Sequence, residues 1–276
     1  MNKSPRRIHP ALNVLYFVVL ALLFVVFMFP FVWMILSSFK TQVQIMQMPP
    51  QWLFKPTMKN YIEVLEGQDF IWYIINSFVI AAGATLAGLV LGLPAAYSIA
   101  RSKMNSLGFT ILVARIVPGI TFLIPWYMIF SRLGWVDTLH AVILAHMLVT
   151  MPFIVWVMIP FFEGIPGDLI EAARVDGCTE QYAFVRIVLP ISGPGIITGS
   201  ILAFVFSWNN YMFSAILTGL HTKTLPVAIT GFLSYSEINW GGLMAASVVI
   251  TLPVLILAMA TQKYIVRGLT AGAVKG

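Results

Sequence analysis

Six long apolar windows alternate with short polar segments along the chain. The windows run over about residues 14–36, 74–99, 107–130, 139–162, 191–217 and 243–265. An α-helix needs about 20 apolar residues to cross the hydrocarbon core of a bilayer, and each window meets that length. Strands are a poor fit, because barrel strands are only about 10 residues long and alternate polar with apolar positions. The pattern predicts an all-α polytopic membrane protein with six spans, organised as a single domain over residues 1–276. Pro118 and Pro125 interrupt the third window, and His140 and His146 weaken the fourth. Prolines inside spans are tolerated where neighbouring helices or water take up the freed carbonyls. They point to a bent bundle around a pathway.

One polar segment differs from the others. Residues 163–190 hold Glu163, Asp168, Glu171, Asp176 and Glu180, half of the chain's ten acidic residues. Pro166-Gly167 breaks the chain. Asp168 is placed to cap a short helix, with Glu171 three residues on as in a capping box. Gly177 is placed to end that helix in the left-handed conformation. Thr179 can cap a second helix, with Glu180 in its first turn, and Pro190 precedes the fifth span. At about 100° per residue, Leu169, Ile170, Ala173 and Gly177 share one face of the first helix. Asp168, Glu171, Ala172, Val175 and Asp176 share the other. Such a helix-turn-helix can transmit a push as a rigid body.

Composition narrows the class further. The chain is 59% hydrophobic and 9% charged, against about 25% charged in soluble domains. The net charge of +6 is a matter of topology rather than a nucleic-acid footprint. With the N-terminus inside, ten of the sixteen Lys and Arg fall in inner segments and five in outer ones, with Arg115 within a span. The positive-inside rule then puts both termini and residues 163–190 in the cytoplasm. The first window is too long for a usual signal peptide and lacks a small-residue cleavage site, so it is expected to stay as an uncleaved span. The lone Cys178 excludes an internal disulfide and a four-cysteine metal site. A phosphate-binding G-x-x-x-x-G-K loop is absent, so energy from ATP has to come from a partner.

Several residues within the spans invite a chemical reading. Arg115 is a charge that has to face the bundle interior, a partner subunit or a watery cavity, or else snorkel to an interface. Ser207-Trp208-Asn209-Asn210-Tyr211 sets amides beside aromatics, the residue types that bind polyols. The same residues also serve interhelical hydrogen bonding. Asn76, Ser77 and His146 are weaker cases of the same kind. Gly83, Gly88 and Gly92 mark a close helix approach, within this chain or against another membrane subunit. The spans contain no Asp or Glu, which argues against an ion-driven secondary transporter. No H-E-x-x-H or G-x-S-x-G is present, which argues against an intramembrane hydrolase.

The polar segment also carries a resemblance. Glu171-Ala172-Ala173, then Gly177, then Ile187-x-Leu189-Pro190 resembles the EAA loop of ABC importer permeases. Trp208-Asn209-Asn210 and the tail from Arg267 to Gly276 resemble the carbohydrate branch of that family, of the maltose-permease second-subunit type. The resemblance implies a type I ABC importer permease architecture and a heterodimer with a second permease subunit. It implies two ATPase subunits, which bind ATP and Mg, while this chain binds no cofactor and catalyses nothing. It also implies an extracytoplasmic solute-binding protein, which touches the outer loop 218–242, and a sugar or polyol substrate, with glycerol phosphate as an alternative. By the same resemblance, Glu171, Ala172, Ala173, Asp176, Gly177, Leu189 and Pro190 couple to an ATPase, and Gly272, Lys275 and Gly276 contact the ATPase pair. Arg115, Trp208, Asn209, Asn210 and Tyr211 are the pathway candidates.

Overall fold

The computed structural model describes residues 10–67, 69–233 and 238–271, with side chains omitted at positions 10, 11, 105 and 263–271. Within these residues the secondary structure is helical apart from one isolated bridge between Leu233 and Ile238. The helices are α1 (Pro10–Ser38), α2 (Gln42–Met46), α3 (Lys59–Glu66), α4 (Phe70–Arg101), α5 (Asn105–Ala114), α6 (Leu123–Arg132) and α7 (Leu139–Glu163). They continue as α8 (Gly167–Val175), α9 (Glu180–Ala183), α10 (Leu189–Ile191), α11 (Gly193–Trp208), α12 (Met212–Leu217), α13 (Leu225–Ile229) and α14 (Trp240–Ala271). Four of them are long and apolar enough to cross a membrane. Two bent pairs, Ser106–Ala114 with Gly119–Arg132 and Glu180–Ile191 with Gly193–Trp208, bring the number to six when each pair is counted as one span.

The bundle is bent, as the prolines within the windows suggested, and the breaks fall at particular residues. The third span turns by 82° at residues 115–118. Pro118 has no N–H to continue the ladder, and it disfavours the helical conformation of the residue before it. The fifth span was expected over 191–217, but α11 stops at Trp208 and α12 starts afresh at Met212. The Asn209 amide donates back to the Val205 carbonyl (3.0 Å), and the Asn210 carbonyl oxygen of the side chain accepts from the Phe213 N–H (3.1 Å). Two short amide side chains thus serve the backbone at the break, which is what such residues do at helix ends.

The chain forms two compact units. The first comprises residues 1–68 and 232–249. It contains α1, most of which is exposed in this chain, with burial confined to its C-terminal end at Ser37 and Ser38. Below it, Lys40 is only 1% exposed. Its ammonium donates to the Gln51 carbonyl (2.8 Å) and lies 4.8 Å and 4.9 Å from the Trp33 and Phe54 ring centres. A hydrogen bond and two aromatic faces compensate the buried charge. Asn60 donates to the carbonyls of Ser38 and Lys40 (both 2.8 Å), and Gln42 joins Ile238 O and Trp240 N. These amides knit the segment that follows the first span to α3 and to the start of α14.

The second unit comprises residues 69–231 and 250–276. Here α4 lies along α7, and α11 packs against both. Lipid tails are as apolar as leucine, so small residues and close van der Waals contact hold such a seam rather than water exclusion. Gly88 and Gly92 show this directly. A Cβ on Gly88 would sit 3.0 Å from Ile154 Cδ1, and one on Gly92 would sit 3.2 Å from Ile154 Cγ2. The glycine stripe therefore packs within this chain. Thr150 adds an interhelical bond to the Ala84 carbonyl (3.1 Å).

Candidate functional site

Two regions of the second unit carry the sequence-predicted residues. The first is the elbow over residues 167–191. Its opening helix, α8, is capped by Pro166 and not by Asp168. Proline's fixed φ suits the residue flanking a helix start. Asp168 falls in the first turn and makes no capping hydrogen bond, which corrects the expected capping box, although its charge still suits the helix N-terminus.

The end of α8 follows the expectation closely. Gly177 has φ +85°. Its N–H donates to the Arg174 carbonyl (3.0 Å), and Cys178 N–H donates to Ala173 (2.9 Å). This pair of bonds is the Schellman motif, which satisfies the last carbonyls of a helix. Thr179 Oγ1 then accepts from Tyr182 N–H (3.3 Å), and Arg174 pairs with Glu180 at 3.2 Å. The second arm is not a plain helix. The four residues of α9 run into a π-turn over Phe184–Val188 and then α10, which contains Leu189 and Pro190.

The elbow is two-faced. Ile170, Ala173, Ala183 and Val188 are buried, whereas Glu171, Ala172, Asp176, Gly177 and Pro190 are exposed and Leu189 is half-buried. Leu169, on the same face as Ile170 and Ala173 by helical spacing, is 45% exposed. Ile170 and Val188 join an apolar cluster that runs through Tyr97, Phe162 and Met158 to Phe153. The Tyr97 ring lies 4.9 Å from that of Phe184 and 5.7 Å from that of Phe162.

Phe153 leads to the second region. The Arg115 guanidinium lies 4.9 Å from its ring centre, and the Phe206 ring packs edge-on at 5.0 Å. Here the breaks at 115–118 and 209–211 open on one cavity of about 780 Å³. Arg115, Asn209, Asn210 and Tyr211 all line it, against apolar walls that include Leu148, Pro152 and Phe206. Its volume and its few polar groups in an apolar lining suit a small-molecule site.

Trp208 is not part of that lining. It is 2% exposed, stacks on Phe204 at 5.8 Å, and donates from Nε1 to the Ile250 carbonyl (3.1 Å). Its indole braces the helix end. His146, a lesser candidate, is buried between two hydroxyls: Nδ1 is 2.8 Å from Ser207 Oγ and Nε2 is 3.2 Å from Ser214 Oγ. The imidazole thereby joins α7 to the helices on either side of the 209–211 break. Asn76 and Ser77 likewise serve the backbone. Asn76 donates to the carbonyls of His221 (3.0 Å) and Lys223 (3.1 Å), and Ser77 accepts from Leu225 N–H (2.8 Å).

Sequence reasoning passed over Asp137. Its carboxylate accepts from the N–H groups of Gly219, His221 and Thr222 and from the Thr222 hydroxyl (2.6–3.2 Å). Burial alone would raise its pKa, but these bonds outweigh it and hold the carboxyl below its ordinary 3.8. A lone acid in a loop gives no sign that a segment about 80 residues on will fold around it. The tail residues Gly272, Lys275 and Gly276 lie outside the described residues.

An all-helical bundle with a bent elbow and a cavity at helix breaks is the build of a multi-pass membrane transport subunit. Residues 88–271 match the family described as binding-protein-dependent transport system inner membrane component, and the chain belongs to it. It is 36% identical over 252 residues to the probable ABC transporter permease protein y4oR of Sinorhizobium fredii, covering 91% of each chain. It is 35% identical over 262 residues to the trehalose/maltose transport system permease protein MalG of Thermococcus litoralis, covering 92% of this chain and 94% of that one. Its fold matches a solved bacterial ABC transporter involved in the import of the acidic polysaccharide alginate. The TM-score there is 0.81 at 19% identity, over 95% of this chain and 99% of the other.

Proposed function

We propose that the chain is one of two permease subunits in an ATP-driven, binding-protein-dependent importer of a sugar or polyol, and that it performs no catalysis itself. Membership of the transport family supports the general role, and the relative named for trehalose and maltose supports a carbohydrate cargo. The Lys/Arg balance of the loops supports an inner-membrane topology with both termini and the elbow in the cytoplasm. On this reading ATP and Mg belong to two ATPase subunits. Glu171, Ala172, Ala173, Asp176, Gly177, Leu189 and Pro190 form the surface they grip, joined by Gly272, Lys275 and Gly276 of the tail. The second permease subunit completes the pathway, and the binding protein delivers the solute on the outer side. Residues 1–276 act as one transport domain.

The observation that carries the mechanism is the unbroken apolar packing from the elbow to the cavity wall. Ile170 and Val188 share a cluster with Phe153, and Phe153 supports Arg115. Packed interiors transmit displacement rather than absorbing it. An ATPase that closes on the elbow therefore shifts the cavity lining, and alternating access follows from that movement. Replacing Glu171, exposed on α8, by Ala tests the coupling. The subunit should insert and assemble, while uptake and solute-stimulated ATP hydrolysis fall by about tenfold or more, the effect of about 1.4 kcal/mol lost at the contact. Wild-type uptake in that variant would remove the elbow from the mechanism.

A further inference from the structure

We propose that the imported carbohydrate carries an anionic group, and that Arg115 is the residue that reads its charge. The inference rests on the cavity being part of the translocation path. Arg115 follows α5 at the 115–118 break. Its backbone N–H is satisfied by the Leu112 carbonyl at 3.1 Å. Its side chain is not satisfied in this way. The guanidinium lies over the Phe153 ring, yet none of its N–H donors has an acceptor among the described residues. A guanidinium has five donors and does not deprotonate in proteins.

Nothing nearby in the sequence can neutralise it. Every Asp and Glu lies in a connecting segment or at the extreme end of a span, as Glu163 does. Among the described residues of this chain, the cavity therefore carries one positive charge with no carboxylate beside it, against apolar walls. A cleft of this kind focuses the field of its charge and concentrates ions of the opposite sign.

A neutral sugar does not call for such a group. Its hydroxyls can be met by groups the cavity already has: the Asn209 side-chain oxygen, the Asn210 amide N–H groups and the Tyr211 hydroxyl. All three are without a partner among the described residues. A charged residue within the membrane is costly to insert, and here it occupies a position where Gln or Tyr would serve a neutral polyol. The planar fork of a guanidinium matches a carboxylate, sulfonate or phosphate bidentately. The cavity thus combines a sugar-compatible amide and phenol set with one anion anchor. An acidic sugar, such as a uronic acid or a sulfonated or phosphorylated polyol, fits both parts.

The test uses the complete importer with its ATPases, second permease subunit and binding protein, reconstituted in vesicles with ATP. The probes are glucuronate, glycerol 3-phosphate and a sulfonated hexose on one side, and glucose and maltose on the other. The expected result is ATP-dependent uptake of at least one anionic probe in preference to both neutral ones. Arg115→Gln should lower that uptake by about tenfold or more, with Arg115→Lys intermediate, because a point charge keeps the attraction and loses the fork. Import confined to the neutral sugars, unchanged in Arg115→Gln, would overturn the inference and leave the importer reading intact. Rescue of Arg115→Gln by neutralising a carboxylate in the second permease subunit would also overturn it, by showing that Arg115 pairs with protein. If Arg115→Gln does not assemble, wild-type competition decides: excess glucuronate but not glucose should suppress uptake of the anionic probe, and the reverse overturns the proposal. Failure to import any solute in the presence of ATP would remove the importer reading and the inference together.

Discussion

The elbow and the cavity rim are both places where helices are interrupted, and they treat their polar groups in opposite ways. In the elbow, local bonds define the shape. The Gly177 and Cys178 N–H groups close the end of α8, and Thr179 caps the next turn. Glu171 and Asp176 face outward there. At the rim, the backbone is also served locally, by Asn209 and Asn210, but the unpaired groups are a guanidinium, amides and a phenol gathered on one cavity. The first arm of the elbow and its turn, through Thr179, are shaped by their own bonds, and Glu171 and Asp176 are exposed on it. The rim exists only because distant helices bring their breaks together, and on the proposed function its polar groups face the solute. Rigidity at one end and unmet hydrogen bonding at the other are what a coupled transporter needs, and the cluster from Ile170 to Phe153 joins them.

The comparison breaks most visibly at Gly177. No atom lies within 4 Å of a Cβ built there, so a side chain meets no obstacle, only the left-handed backbone. Gly177→Val should strain the elbow by about 1–2 kcal/mol. Uptake should drop by about tenfold while insertion is preserved, whereas Gly177→Asn, which tolerates that conformation, should retain most activity. Equal loss in both would show that the space matters and not the backbone, and vesicle uptake assays separate the two. At the rim, Ser207→Ala leaves one buried nitrogen of His146 unpaired. The cost should be about 1 kcal/mol, because hydrogen bonds between membrane helices are worth little more than that. It should appear as a lower unfolding temperature of the detergent-solubilised assembly, larger than for Ser214→Ala, whose bond is longer (3.2 Å against 2.8 Å). The smallest effect is expected for Arg174→Ala. The pair with Glu180 leaves both side chains at least half exposed (50% and 55%), so its loss should change stability by less than about 0.5 kcal/mol. A larger change, measured in the same way, would mean that the elbow depends on more than its caps.

These two regions were legible in the sequence to different degrees. The elbow was readable because its determinants are local. A glycine that must turn left-handed and a threonine three residues before the N–H it caps follow rules of spacing alone. The exception, Asp168, failed because the helix starts two residues earlier, after Pro166. The π-turn at Phe184–Val188 left no mark in the pattern, since it depends on packing against Tyr97 and Phe162. The cavity was legible only in part. Arg115 and the two asparagines were conspicuous as polar residues in apolar windows, but nothing in their spacing shows that positions 115 and 209 share a wall. Trp208 looked like its neighbours in sequence and turned the other way, because the helix ends at that residue. Asp137 could not be read at all, its partners being about 80 residues away.

By itself, the sequence determined that the chain is a bundle of apolar helices with a capped acidic elbow, since span length, charge placement and cap chemistry each act over a few residues. Tertiary structure alone decided which polar side chains were spent on holding helices together, as with His146, Asn76, Ser77 and Asp137, and which were left free at the cavity. That division depends on whether an acceptor from a distant part of the chain comes within about 3 Å, the reach of a hydrogen bond.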